Sequence, residues 1–457
     1  MKKNTRIYHA ILTAIACVLT ACVPSPGDVT ATDELPPIYP DYADVTVPVN
    51  IAPLNFMLRD SVEAIYVTVS CGDLEIKSHR RGNEARFGLK EWKKLLEMSA
   101  GKDLAVSVTA LNAGKWVRYR DFHIAVSPDS IDPYLTYRLI EPDYEVFSRL
   151  QIMERDLETF GERVICDHNM VGNRCMNCHT HATGHDDLSF FYVRGKGGGM
   201  MLNDRGKLRK LDIKTPDMVS GPVYAQFDPT GRYIVFSSNA IIPAFHSRPD
   251  KRLEVFDTKS DVYVYDLKSD RIQRSPLLAD STKLETFPAF SADGRSIYFC
   301  VADGRFKPSR LDSVQYSLCR IGFDPESGEF GSAADTIVMA RSGEKNSVSH
   351  PRVSPDGRRL LYTVADFGTF PIWHREADLR MLDLDSGVVD NLEGVNSPMS
   401  DTYHCWSSSG RWFVFASKRD DGLYGKPYFV HVSEDGTTSK PFVLPQESPS
   451  DYDYTLK

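Results

Sequence analysis

Apolar and polar residues alternate along most of this 457-residue chain, and the alternation breaks repeatedly on glycine-centred turns. Period-two alternation sends one face of a strand inward and the other to water. Runs at 61–69, 74–77, 104–109 and 116–126 have that pattern, while residues 89–98 set Trp92, Leu95, Leu96 and Met98 near one helical face. Several short strands with one small helix predict a β-sandwich-like domain over residues 43–128. His79 and His123 stand alone in it and read as surface or packing residues. Further on, Val146, Leu150, Met153 and Leu157 recur at helical spacing behind Pro142, which predicts a helix over 143–160. Residues 129–180 are therefore read as a helical linker.

From residue 221 the pattern repeats. Residues 227–236, 290–299, 353–362 and 406–415 each set an aromatic or branched residue, a polar turn and then an alternating strand. Their glycines, Gly231, Gly294, Gly357 and Gly410, are 63, 63 and 53 residues apart. Each copy is a hairpin signature, and hairpins recurring at about 50–60 residues predict a β-propeller, which closes radially and so hides its sheet edges. A weaker copy has strands at 186–194, 199–202 and 208–213, and 134–140 is read as part of a composite blade closed by the C-terminal residues. The count is six blades, with the propeller over 181–457 and an all-β fold class for the whole.

The N-terminus changes the setting. Lys2, Lys3 and Arg6 precede a short apolar run at 11–19, and Leu19-Thr20-Ala21-Cys22 follows. The run is too short to span a bilayer and reads as a signal peptide over 1–22. The last four residues resemble a lipobox, which implies lipidation at Cys22 and a membrane anchor, with the body on the periplasmic or cell-surface side of an outer membrane. Residues 23–42, rich in Pro, Asp and Thr, are read as a flexible tether. A formal charge of −8 argues against nucleic acid as a partner. Seven cysteines remain past Cys22, too few and too odd for a disulfide scaffold; Cys300 and Cys319 flank a hairpin and could pair or stay free.

Among those seven lies Cys175-Met-Asn-Cys178-His179, the C-x-x-C-H pattern of covalent haem attachment. Two thiols three apart can become thioethers to the two vinyl groups of one porphyrin, with His179 as the proximal iron ligand. For the distal position His246, His350 and His404 are candidates, in loops near predicted inner strands; His185, His181, Met200 and Met170 rank behind them. Arg194 and Lys196, in a glycine-rich stretch without the phosphate-loop order, could approach a haem propionate. A rival reading gathers Cys166, His168, Cys175 and Cys178 as a structural zinc site, and a Cys175–Cys178 exchange disulfide is a third. Glu254, Asp257 and Asp261 could line a channel. There is no G-x-S-x-G elbow.

The turns Asp228-Pro-Thr-Gly-Arg232 and Ser354-Pro-Asp-Gly-Arg358 resemble the repeats of TolB-like six-bladed propellers. With residues 137–142, 154–157, 177–179, 193–196, 244–246 and 254–257, the chain resembles Bacteroidetes-type lipoproteins that carry one C-x-x-C-H at the entrance of such a propeller. The motif and the resemblance together imply a membrane-anchored monohaem c-type protein in electron transfer or redox sensing, with a redox or envelope protein as partner. The alternative is a non-haem propeller lipoprotein that binds an envelope partner, with zinc in place of haem.

Overall fold

A computed structural model describes residues 25–140, 147, 149–248, 251–341 and 343–453. Its architecture is predominantly β, with several separate sheets and one short α-helix among the described residues. The chain divides into two compact units, one of residues up to 128 together with 445 onward, the other beginning at Asp129 and running to Leu444.

In the first unit Ala64–Cys71 pairs on either side with Leu74–Arg81 and Asp103–Asn112, and the larger sheet is completed by Lys115–Arg118, Phe122–Ser127, Val45–Pro48 and Val29–Ala31. The helix Leu89–Met98 buries Trp92, Leu95 and Leu96, and the Trp92 indole N–H donates to the Ile51 carbonyl at 3.1 Å. Met98, expected on that face, is exposed. The expected tether is folded: Val29–Ala31 pairs in parallel with Lys115–Arg118, and Ile38–Tyr39 pairs with Phe56–Leu58. Tyr42 is fully buried, its hydroxyl 2.6 Å from that of Tyr452. Scattered apolar residues in a Pro- and Asp-rich stretch suffice to dock it when a sheet edge and an aromatic pocket are available. Gln446 and Glu447 likewise receive the Asn55 side-chain amide on their carbonyls, so the last residues belong to this unit and do not close a blade.

The second unit is a succession of antiparallel meanders. Three strands come first, Tyr134–Ile140, Leu150–Asp156 and Glu162–Asp167. Met176–Ala182, His185–Val193, Gly199–Asp204 and Lys207–Leu211 form the next sheet. Later meanders start with Val223–Phe227, Lys283–Phe290, Ser347–Val353 and Asp401–Trp406. Neighbouring sheets pack face to face: Phe190, Met200 and Leu202 meet Ile234, Phe236 and Tyr263, while Tyr298, Cys300 and Leu318 meet Leu360, Tyr362 and Val364. At the start of the unit Asp129 accepts hydrogen bonds from Arg411 at 3.2 Å and His431 at 2.8 Å, and its carbonyl accepts from the Trp412 indole.

The repeated turn has a shared cause. Its first polar side chain accepts the backbone N–H five residues on: Asp228 from Tyr233, Ser291 from Ser296, Ser354 from Arg359, Ser407 from Trp412. The glycine between them sits at φ near +70 (Gly231 and Gly294), a region that a Cβ disfavours.

The expected helix over 143–160 is corrected. Residues 141–146 and 148 lie outside the described residues, and Leu150–Asp156 is a strand paired on both sides. A register shift between Ile152 and Met153 puts both side chains in the interior, so a bulge imitates helical spacing. Arg155 is also buried, held by the carbonyls of Asp156 and Thr159 and by Glu162.

Candidate functional site

The C-x-x-C-H motif does not precede the first strand of its sheet, as its sequence position suggests. Its last four residues lie within that strand, Met176–Ala182. At Cys178 the pairing slips between Asn177 and Thr180, and the backbone turns to φ +54. The same slip, with the same unusual φ, recurs in the first strand of the next four meanders. It falls at Tyr224 (+51), Phe287 (+48), His350 (+53) and Tyr403 (+50). Positive φ is uncommon for residues with a side chain and persists only where the surroundings over-determine it. Here a bulge re-aims one side chain per sheet.

These side chains converge. The rings of Tyr224 and Phe287 are 4.3 Å apart, Phe287 and His350 4.1 Å, and His350 and Tyr403 5.0 Å. The Tyr224 backbone N–H donates to the Cys178 sulfur at 3.4 Å, which joins the thiol to the aromatic cluster. His350 is buried, with Nδ1 unpartnered, and burial pushes it well below the ordinary imidazole range, so the ring is neutral at pH 7. Tyr403 is 38% exposed, so the cluster opens to solvent on that side.

Three arginines act electrostatically on the thiol. Burial raises the Cys178 pKa, while the Tyr224 N–H, Arg194 and Arg138 pull it down; the net shift is upward and the thiol is protonated at neutral pH. Arg352 also acts on Cys178 and on Cys405, and burial lowers it to about 10, so it stays cationic. Its guanidinium donates to the Pro351 carbonyl, and among the described residues none of Arg138, Arg194 and Arg352 has a carboxylate partner. Nearby acids are engaged elsewhere: Asp132 accepts from Ser408, and Asp257 accepts from Asn239 and Tyr316. Burial raises Asp257 to about 6.

The remaining motif residues point elsewhere. Cys175 packs against a core of Leu150, Ile152, Cys166, Met176 and Val193, and its carbonyl accepts the Arg194 backbone N–H. His179 has Nε2 at 3.2 Å from the Thr136 carbonyl, and burial lowers its pKa to about 4. Cys175 and Cys178 are both free, as are Cys300 and Cys319. His404 is buried, its Nε2 at 3.0 Å from the Leu361 carbonyl and its Nδ1 unpartnered. His246 lies on the strand Tyr233–Arg248, and its side chain is outside the described residues. His181 bonds Thr136, Met200 is sealed in the core, and Met170 and Lys196 are exposed. No group of three or more His, Cys, Asp or Glu among the described residues is arranged to hold a metal, and Cys166 and His168 do not join the motif thiols in one.

The acidic candidates separate. Glu254 is buried against His374 (2.8 Å to Nε2), whose Nδ1 faces Glu376 at 2.9 Å, while Asp261 accepts from Tyr263. Sequence reasoning missed Arg138, Arg352, Tyr224, Phe287 and Tyr403. A signal existed for part of this set: Tyr224, Phe287, His350 and Tyr403 each stand seven residues before the glycine of their repeat.

No family model and no curated protein matches the chain. Solved structures give partial likenesses. An oligogalacturonate lyase in complex with manganese is 10% identical over 68% of this chain and 84% of that one, with a TM-score of 0.34. A prolyl endopeptidase is 13% identical over 70% and 41%, with a TM-score of 0.37. A DUF4784 family protein from Bacteroides caccae is 10% identical over 78% and 95%, with a TM-score of 0.32. Likenesses this weak carry no argument about activity.

Proposed function

We propose that residues 129–444 form a six-bladed, TolB-like β-propeller behind a β-sandwich-like unit, and that the chain is a monohaem c-type protein in electron transfer or redox sensing. Lipid on Cys22, which lies outside the described residues, would anchor it at an outer membrane and bring it to a redox or envelope partner. The observation that carries the reading is the state of the motif: two free thiols three residues apart, followed by an imidazole that is neutral at pH 7.

The donor set would have to rearrange to take the group, because Cys175 packs into a core apart from the aromatic cluster that Cys178 joins. Cys175 and Cys178 would hold the porphyrin and His179 would supply the proximal nitrogen, with His246, His350 and His404 as the distal candidates. A metal-bound imidazole gives its other N–H to a backbone acceptor. Here Nε2 itself contacts the Thr136 carbonyl, and that contact has to break before Nε2 can bind iron. Once bound, the iron porphyrin supplies one-electron chemistry at a potential set by axial ligation and burial. The chain's own part is to keep His179 unprotonated at neutral pH and to act on Cys178 with the positive charge of Arg194 and Arg138.

Protein made in a host with periplasmic haem-attachment machinery should give one covalent haem per chain by pyridine haemochrome assay, and none in Cys178→Ser. Colourless protein of unmodified mass would overturn the proposal. It would favour the alternative, a non-haem propeller lipoprotein binding an envelope partner, for which the engagement of His179 with Thr136 speaks.

A further inference from the structure

The glycine-rich loop 194–199 and the segment just before Cys175 enclose a cavity of about 330 Å³. Part of its wall is apolar: Val171, Val193 and Met201, which also pack around Cys175, line it. Met170 lines it too and is 73% exposed, so the cavity reaches the surface. The loop contributes Gly197 and Gly198. A Cβ on Gly198 would stand 2.1 Å from the Val193 carbonyl oxygen, so only a bare backbone can seat itself there.

Arg174 is the one charged side chain among the described residues that line this space. Its guanidinium lies against the loop, with Nη1 and Nη2 at 3.6 and 3.7 Å from where a Cβ would stand on Gly197. On its other flank Nε is 3.9 Å from the same position on Gly172. The side chain is partly buried and, among the described residues, has no hydrogen-bond or ion-pair partner. The loop's own polar groups are engaged elsewhere: the Gly197 carbonyl accepts from Lys210 at 2.9 Å, and the Gly195 carbonyl accepts the Gly198 N–H at 2.9 Å. Lys210 thereby adds a second positive charge to the loop. A guanidinium holds its N–H donors in a fixed fork, which a carboxylate fills with two parallel hydrogen bonds. The valine and methionine side chains beside it suit an aliphatic body, and methionine adapts to irregular shapes.

We propose that this cavity binds a short aliphatic carboxylate, with Arg174 holding the carboxylate and Met170, Val193 and Met201 enclosing the chain. Every group in the site belongs to the folded chain, so the proposal does not rest on the haem reading.

The test uses the full chain produced without haem-attachment machinery, since the apolar wall is shared with Cys175. Calorimetric titration compares hexanoate with hexan-1-ol, which lacks the charge, and with acetate, which lacks the body. Hexanoate should bind at least about tenfold more tightly than hexan-1-ol, the difference expected when charge-assisted hydrogen bonds are lost. It should also bind at least about tenfold more tightly than acetate, from the methylenes it buries. In Arg174→Gln the preference for hexanoate over hexan-1-ol should disappear. The place of binding is read from the ¹³C-methyl signals of Met170 and Met201, assigned with Met170→Leu and Met201→Leu, which should shift as hexanoate is added. No hexanoate binding, equal binding of hexanoate and either control, an unchanged preference in folded Arg174→Gln, or unmoved methionine signals would each overturn the proposal. If Arg174→Gln fails to fold, the wild-type ratios and the methyl signals decide. Failure of the haem reading is visible separately, as missing absorbance in protein made with the machinery.

Discussion

Replacing Glu254 by Gln should remove a pH-dependent share of the second unit's stability. Glu254 lies on Lys251–Asp266, half of a hairpin with Tyr233–Arg248 that runs well past the rest of its sheet. Its carboxylate meets His374, just after the short helix Pro371–Trp373 of a different meander, and both side chains are at most 2% exposed. Burial alone would lower the imidazole; hydrogen bonds and charge from Glu254 and Glu376 overcome it and raise His374 from 6.5 to about 9. At about 1.4 kcal/mol per pH unit, that gap corresponds to about 3 kcal/mol, in line with the cost of about 3–5 kcal/mol for breaking a buried pair. A base whose folded pKa is raised stabilises fully below its unfolded value, here 6.5, and the benefit is lost as pH rises through about 9. Other groups titrate in this range too, thiols among them, Cys405 being raised from 9 to about 11. Burial holds Glu285 at about 8, which makes stability fall from pH 4.5 to 8, and lowers Lys418 to about 8, which makes it rise from 8 to 10.5. The wild-type curve therefore mixes several slopes, and the difference between wild type and Glu254→Gln isolates the one that depends on Glu254. Urea unfolding followed by tryptophan fluorescence, with Trp373 beside the pair, should give a difference of up to about 3 kcal/mol at pH 6 that shrinks as pH rises through about 9. A difference that stays constant across that range would refute the reasoning.

Asp129→Asn removes charge from the contact that joins the start of the second unit to its last sheet, where His431 and Arg411 hydrogen bonds outweigh burial and hold the carboxylate low. Because these groups are partly exposed, the expected loss is about 1–2 kcal/mol in urea melts at pH 7. An acid with a lowered pKa stabilises above its unfolded value, so the loss should fade as pH drops below about 4. Phe287→Ala opens a hole between Tyr224 and His350 and should cost about 3–5 kcal/mol; a change below about 1 kcal/mol would mean that the converging rings are not a packed cluster.

Much of the β architecture is legible in the chain because its cause is local. An Asp or Ser that accepts an N–H five residues on, with a glycine at positive φ between, can be read from one turn without knowing the neighbours. What misled was non-local. The 143–160 stretch shows helical spacing because a bulge at Ile152 and Met153 turns two consecutive side chains inward, and only the partner strands reveal it. Residues 29–42 have a linker's composition, yet Tyr42 is fully buried against groups some 400 residues away in sequence. Arg138 and Arg352 leave no trace in pattern, since nothing in a sequence tells a surface arginine from a partly buried one whose charge acts on a thiol.

The positions seven residues before each repeat glycine show why chemistry and packing are hard to separate here. Tyr224, Phe287 and Tyr403 are residue types that any β core uses, so the repeat reads as structure. Their shared φ near +50 shows that the backbone is bent at each one to aim a side chain at a common point, which a core residue does not require. Against that background the two departures carry the information. His350 puts an imidazole, and Cys178 a thiol, in the slot that the other sheets fill with an aromatic ring. A repeated scaffold that varies one side chain at a fixed geometry can acquire a reactive or ligand-binding group without refolding.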